Sequence, residues 1–305
     1  MSVLSFEHVV KRFGDFTAVN DLSFSVAEGG LFGFLGGNGA GKTTSLRMAL
    51  DILRPTSGRI EVMGAAPSRE KSAQIGFLPE ERGLYRKMTV LETVVYFGQL
   101  KGLSKNDATA RGLVLIERLG LGPWVKSSID KLSKGMSQKA QLASALVNEP
   151  KLLILDEPFS GLDPVNQGVL EDIVLEKAKA GATVIFSTHV MQHAERLSQR
   201  LLLLSRGRKI FEGTQEEARA KLPKRVRLTA KADPRGLPGV ESASAKAAAH
   251  GWSEWDVLLK PGAIGGDVLE AATAQNFALR GFDVHEPSLH DVFIQLVGAD
   301  QEIVR

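Results

Sequence analysis

Apolar and polar positions alternate early in the chain. Val3-Leu4-Ser5-Phe6 and Leu22-Ser23-Phe24-Ser25-Val26 carry the two-residue period of half-buried strands, and Ala27-Glu28-Gly29-Gly30 forms a turn after the second. Leu31-Phe32-Gly33-Phe34-Leu35 is a short continuous apolar run, the pattern of a buried strand. It leads directly into a glycine-rich segment, after which residues 42–53 have helical spacing. Arg54-Pro55-Thr56-Ser57-Gly58 supplies the turn residues that end this helix, and residues 59–63 return to strand. Residues 85–150 read as mostly helical, with breaks at Gly102, Gly120-Leu121-Gly122-Pro123 and Glu149-Pro150. Strands alternate with helices again at 152–155, 183–187 and 201–204. This order predicts an α/β core on a parallel sheet, interrupted by a helical insertion.

A second unit is expected to begin near Leu222-Pro223. Val226, Leu228 and Ala230 alternate, residues 233–239 are loop-like, and 255–259 form a second strand candidate. Residues 266–279 have helical spacing and 282–285 suit a third strand. Ser288 is placed to cap a final amphipathic helix through Val297, with Asp291 three residues on. The Ala- and Ser-rich stretch 242–249 is expected to be a loop or short helix. The predicted division is residues 1–220, with a helical part at about 85–150, and residues 221–305 as a small α+β domain. There are no internal repeats.

The bulk numbers narrow the partners. A length of 305 residues allows one large domain or two smaller ones. With 43% hydrophobic and 24% charged residues the chain is an ordinary globular one, and a net charge of +3 is too small to argue for nucleic acid. The absence of cysteine excludes disulfides, thiolate metal sites and cysteine nucleophiles. No apolar run approaches the roughly 18 residues that span a bilayer, and the first residues lack the basic-then-apolar build of a signal peptide. A role at a membrane is therefore expected to need another subunit.

Chemistry enters with Gly36-Gly37-Asn38-Gly39-Ala40-Gly41-Lys42-Thr43-Thr44, which fits G-x-x-x-x-G-K-[ST] between a strand and a helix. Its glycines let backbone N–H groups curl around phosphate oxygens, and the helix presents its positive end to the same anion. Lys42 is expected to reach the β- and γ-phosphates and the Thr43 hydroxyl to ligate Mg²⁺. Downstream, Lys151-Leu152-Leu153-Ile154-Leu155-Asp156-Glu157 is an apolar strand that delivers two carboxylates to its end. Asp156 is placed to hold Mg²⁺ and Glu157 to polarise an attacking water.

Between these motifs stands Leu132-Ser133-Lys134-Gly135-Met136, ahead of a helix through Val147. With it, residues 3–215 resemble the ATP-binding cassette (ABC) ATPase subunits. The resemblance implies a P-loop NTPase fold with a parallel core sheet, an antiparallel β subdomain and a helical subdomain, followed here by the small C-terminal domain. It implies ATP and Mg²⁺ as ligands, and it implies that Ser133 and Gly135 bind the γ-phosphate held by another protomer. Asp163, in Ser160-Gly161-Leu162-Asp163, corresponds to the loop linking the two sites across such a dimer. His189, after Ser187-Thr188, falls where the family has its γ-phosphate-sensing histidine. Phe13, in Lys11-Arg12-Phe13-Gly14, matches the aromatic that stacks on adenine, with Phe16 as a competitor.

The chain departs from the family pattern at three points. Glu80, in Gly76-Phe77-Leu78-Pro79-Glu80-Glu81-Arg82-Gly83-Leu84-Tyr85, replaces a glutamine and offers Mg²⁺ a charge in place of a neutral carbonyl oxygen. Lys134 stands where glycine is common, and could point to solvent or add a cation near a partner's nucleotide. Gly37 stands where proline is frequent. The 78–85 run and Pro287-Ser288-Leu289-His290-Asp291-Val292-Phe293 resemble ATPase subunits of ABC-2-type exporters of the sodium-efflux-like group. That resemblance implies a partner ATPase subunit, either a second copy or a paired chain, and a separate integral-membrane permease docking near residues 80–89. It also implies a cytoplasmic place on the inner face of the membrane. The alternative is an ABC ATPase of translation or DNA repair. Those proteins usually carry two cassettes, long coiled coils or zinc-binding cysteines, whereas this sequence has one phosphate loop and no cysteine. A P-loop GTPase or kinase lacks the 132–136 run, and the chain has no Asn-Lys-x-Asp guanine motif. The C-terminal domain fits a regulatory or dimerising module and a structural cap equally.

Overall fold

The computed structural model describes residues 2–81 and 83–303, and these divide into two compact units at Thr214/Gln215. In the first unit, β1 (Ser2–Phe13) and β2 (Phe16–Ala27) form a long hairpin that turns at Gly14-Asp15, with Phe13 facing Phe16. Gly14 takes φ of 57°, which suits glycine. Sequence spacing found only the inner parts of these strands. The ladder is irregular near His8 and Asp21, both at positive φ, and the shifts break the two-residue period. β3 (Gly30–Gly36) precedes α1 (Lys42–Ala49), and β4 (Ser57–Val62) completes a three-stranded antiparallel sheet, β2-β1-β4.

A six-stranded sheet carries the rest of this unit. Its order is β5 (Ile75–Leu78), β6 (Leu152–Asp156), β7 (Thr183–Thr188), β3, β8 (Arg200–Ser205) and β9 (Arg208–Thr214). All neighbours are parallel except β8 and β9. β6 and β7 are buried at every position, as continuous apolar runs in a covered parallel sheet require. The aromatic core joins the two sheets: Phe24 stacks on Phe6 at 4.6 Å and meets Phe34 edge-on at 5.4 Å. Between β5 and β6 come α2 (Val90–Leu100), α3 (Lys105–Arg118) and α4 (Lys134–Leu146). α5 (Pro164–Lys179) and α6 (Met191–Leu197) flank β7.

The second unit opens with α7 (Gln215–Arg219). Its four-stranded antiparallel sheet runs β11 (Val240–Ala249), β12 (Trp252–Leu259), β10 (Arg225–Ala230) and β13 (Leu279–His285). α8 (Gly265–Ala274) and α9 (Leu289–Ile303) complete it. The Ala/Ser stretch is thus strand, contrary to the loop or helix expected. Its residues are too small to show a period, and the backbone ladder to β12 holds them. Ser288 caps α9 as the spacing predicts. Asp291 N–H donates to Ser288 Oγ at 3.1 Å and Ser288 N–H to Asp291 Oδ2 at 2.9 Å. Val226, Leu228, Val257, Leu259 and Val268 form the core of this unit.

One close approach ties β5 to α4. A Cβ on Gly76 would lie 2.3 Å from the carbonyl oxygen of Ala145 and 2.8 Å from Pro150 Cγ. Gly76→Ala is therefore expected to lower the stability of the first unit by about 1–3 kcal/mol, the usual size of overpacking, read as a lower urea midpoint.

Candidate functional site

β6, β7 and β3 end at one edge of the sheet, with Asp156 level with Ser187 and Leu35 level with Thr188. Ligands bind α/β sheets outside such carboxyl ends. Residues 37–41 after β3, Asp156-Glu157 and His189 therefore converge. The loop needs its glycines for space. A Cβ on Gly36 would lie 2.5 Å from the Leu204 carbonyl oxygen, and one on Gly41 2.7 Å from that of Ala18. Gly41, at φ of 97°, is the N-cap of α1 and offers no side chain to its first N–H groups, which leaves that positive end open to an anion.

Lys42 turns back under the loop. Its Nζ donates to Gly36 O at 2.8 Å and Gly37 O at 3.2 Å, and lies 3.5 Å from Glu157 Oε1. The two residues are only 6% and 7% exposed. Glu157 holds φ of 48°, an unfavourable region for a residue with a Cβ. Its N–H donates to Ser187 Oγ at 3.1 Å, and Oε1 lies 2.9 Å from His189 Nδ1. Asp156 is buried and accepts from the Ser187 hydroxyl. Ser187 thus holds both members of the carboxylate pair. It lay in the sequence beside His189 with nothing to mark it, because a serine in an apolar strand gains its meaning from the neighbouring strand.

A cavity of about 320 Å³ opens above Lys42, lined by Phe16, Ala18, residues 38–44, Glu80 and Glu157. The fold thus places Glu80 and the phosphate loop around the same cavity. Phe13 does not line this cavity, whereas Phe16, its hairpin partner, does. Lys11 Nζ sits 4.9 Å from the centre of the Phe13 ring. Among the described residues no group of three or more acidic or histidine side chains could hold a cation by itself. Thr43 and Glu80 line the cavity and offer a hydroxyl and a carboxylate oxygen, the donor types Mg²⁺ takes together with phosphate and water, while Asp156 is buried against Ser187.

Ser133 and Gly135 do not line the Lys42 cavity. Ser133 is the N-cap of α4, its Oγ accepting from Met136 N–H at 3.3 Å. A Cβ on Gly135 would lie 3.5 Å from Leu162 Cδ2, and one on Gly161 2.6 Å from Lys134 Nζ, so Lys134 runs along the 160–163 loop of its own chain. Asp163 caps α5 by accepting from Asn166 N–H at 3.0 Å. The hydrogen bonds from the Asn166 backbone and side chain hold its carboxyl below the usual range.

Beneath the Glu157 loop, buried His193 stacks on Phe159 at 4.3 Å. Its Nδ1 is 3.1 Å from Arg196 Nη2, and Glu171 Oε1 lies 2.6 Å from the same guanidinium nitrogen. Burial, aided by the Arg196 charge, pushes the His193 pKa below 6.5, while Glu171 pulls the other way.

A family model described as ABC transporter matches residues 19–160, and one described as the ATP-binding protein DrrA1-3-like, C-terminal domain matches residues 213–297. The chain is 39% identical over 304 residues to the uncharacterized ABC transporter ATP-binding protein YhaQ of Bacillus subtilis, covering 98% of this chain and 100% of that one. It is 41% identical over 213 residues to Nod factor export ATP-binding protein I of Burkholderia lata, covering 69% and 70% of the two chains. Among solved structures, an ATP binding subunit of an ABC transporter aligns with TM-score 0.68 and 29% identity over 72% of this chain and 93% of that one. The cbiO1 protein of Clostridium perfringens, part of the ABC transporter complex cbiONQ, aligns with TM-score 0.63 and 27% identity over 72% and 91%. Fold and phosphate loop define a P-loop NTPase. The chain belongs to the ABC transporter ATP-binding family and is a transport ATPase of that class.

Ser187→Ala would strip a hydrogen bond from buried Asp156, a loss of about 1.5–3 kcal/mol for a bond to a charged group. ATP turnover is expected to fall roughly 10–100-fold, with a smaller change in nucleotide affinity, read by steady-state kinetics and nucleotide titration. His193 favours its neutral form in the folded chain. Its contribution to stability is therefore complete above 6.5 and is lost as pH falls below that value toward the folded pKa. The urea midpoint of the natural chain is expected to drop more between pH 7.5 and 5.5 than that of His193→Phe.

Proposed function

We propose that the chain works in a pair, with a second copy or a related ATPase subunit, to drive export through a separate integral-membrane permease. The observation that carries this reading is the split between the two halves of the site. Lys42, Thr43, Glu80 and Glu157 line one cavity, with His189 bonded to Glu157 and Asp156 buried next to it in sequence, while Ser133 and Gly135 stand outside that lining at the exposed start of α4. A head-to-tail pair would bring the α4 start of one chain to the triphosphate held by the other.

In this reading Lys42 leaves the Gly36 and Gly37 carbonyls and takes the β- and γ-phosphates. The loop N–H groups of residues 36–44 and the Thr44 hydroxyl hold the remaining phosphate oxygens. Thr43, Asp156 and Glu80 hold Mg²⁺, which neutralises phosphate charge. Glu157 takes a proton from the attacking water, and His189 steadies that carboxylate and the γ-phosphate. Phe13 or Phe16 stacks on adenine, and Asp163 links the two sites. Loss of the γ-phosphate removes the charge that joins the halves, so the pair opens.

Export is supported by the Nod factor export description of a relative. A separate permease is supported by the lack, among the described residues, of any helix long and apolar enough to cross a membrane. The docking surface proposed is residues 80–89, where exposed Tyr85 packs edge-on against Tyr96 of α2 at 5.4 Å. The permease would hold the chain at the inner membrane face.

Glu157→Gln is expected to lose turnover by more than about 100-fold while retaining ATP, and to run as an ATP-dependent dimer in size-exclusion chromatography. Turnover near the natural rate would remove Glu157 as the base, and a monomer saturated with ATP would remove the pairing.

A further inference from the structure

The helix that begins at Ser133 carries three long polar side chains on one face. Lys134, Gln138 and Gln141 follow at spacings of four and three, so they stack along α4. Each reaches a different part of the chain's own catalytic surroundings. Lys134 lies against Gly161, and Gln138 Nε2 donates to the carbonyl oxygen of Pro158, next to Glu157. Gln141, 5% exposed, has its Nε2 3.4 Å from Pro79 O and 3.3 Å from Glu81 O, the carbonyls on either side of Glu80.

These two carbonyl sites lie in different loops, one after β6 and one after β5. Each loop carries one of the two carboxylates that line the Lys42 cavity. β5 ends at Leu78 and β6 at Asp156, and past these ends the Glu157 N–H still bonds to Ser187 O of β7 at 3.2 Å, so the glutamines act on the loops just beyond the ladders. Proline also removes a donor from each, at Pro79 and Pro158. A carboxamide that donates to a carbonyl satisfies that acceptor and restrains the loop segment that carries it, here within one or two residues of each carboxylate.

We propose that Gln138 and Gln141 are positioning residues for ATP hydrolysis. Together they set the placement of Glu157 and Glu80 from a single helix, and thereby tie both carboxylates to the Ser133 end of that helix. This rests on the paired-site reading above for what touches Ser133, though not for the loop contacts themselves. When the α4 start engages the triphosphate of the facing chain, the same rigid helix carries the engagement to its own Glu157 and Glu80. A site that is empty across the interface then leaves the carboxylates out of place. Gly135 against Leu162 and the close β5–α4 approach at Gly76 add two further contacts along that body.

The test uses the full chain with Gln138→Leu and Gln141→Leu, each read by kinetics, nucleotide titration and amide hydrogen exchange. Each substitution is expected to lower kcat roughly 10–100-fold, the effect of a misplaced catalytic group, with ATP affinity within about twofold since residues 36–44 are untouched. Gln141→Leu would speed exchange at Glu80 and Glu81 and leave 159–163 unchanged, and Gln138→Leu would do the reverse. Gln→Met at either position keeps the unbranched chain length if leucine prevents folding. The proposal is overturned by turnover within twofold of the natural chain, by unchanged exchange in the loop each residue holds, or by faster exchange throughout β3, β6 and β7, which marks general loosening. The exchange arms need no catalysis, so they decide on the two glutamines even if Glu157→Gln still hydrolyses ATP and the functional reading fails.

Discussion

The ammonium of Lys42 and the carboxylate of Glu157 lie 3.5 Å apart, both nearly out of water. Taking two ions out of water costs several kcal/mol each, and their attraction repays this only with further hydrogen bonds. The chain supplies them: Gly36 and Gly37 give backbone carbonyls to Lys42, and Glu157 Oε1 meets His189 Nδ1 at 2.9 Å. Much of the surrounding architecture follows from that arrangement. The phosphate loop must curl tightly enough to aim its carbonyls inward, which leaves no room for a Cβ at Gly36 or Gly41. β6 must end at Asp156, and Glu157 must accept a left-handed backbone to turn its carboxylate toward Lys42.

The pair is also chemically provisional. A lysine bound to two carbonyls and a carboxylate has its donors in use, yet a triphosphate offers it more negative charge than they do. Exchange of partners would release Glu157 toward His189 and water. The same end of the sheet thus serves both resting and reacting arrangements, and α4 holds the two acidic loops from one side.

Features set by local chemistry were legible in sequence. The phosphate loop between β3 and α1, the carboxylates at the end of β6, and the Ser288 cap all depend on residues close along the chain. Features set by a distant partner were not. β5 is four residues long and exists through its ladder to β6, and β9 is a largely polar edge strand against β8. Most of β11 from Ser242 on is alanine or serine, which marks no period. In the site, Ser187, Gln138 and Gln141 are unremarkable polar residues until the fold shows which carboxylate or carbonyl each meets. Phe13 and Phe16 could not be separated by sequence because they pair across one hairpin turn, and the cavity lining includes the second.

The central claim is that each chain holds half of each hydrolytic site. Co-expression of Lys42→Ala and Gly135→Asp chains tests it most directly. Each variant alone would be inactive, one lacking the phosphate-binding cation and the other blocked at the α4 start. A mixed pair retains one intact composite site, with Lys42 from one chain and Gly135 from the other. ATP turnover in the mixture is expected to lie well above that of either variant alone. Turnover no greater than the sum of the two separate variants would contradict it.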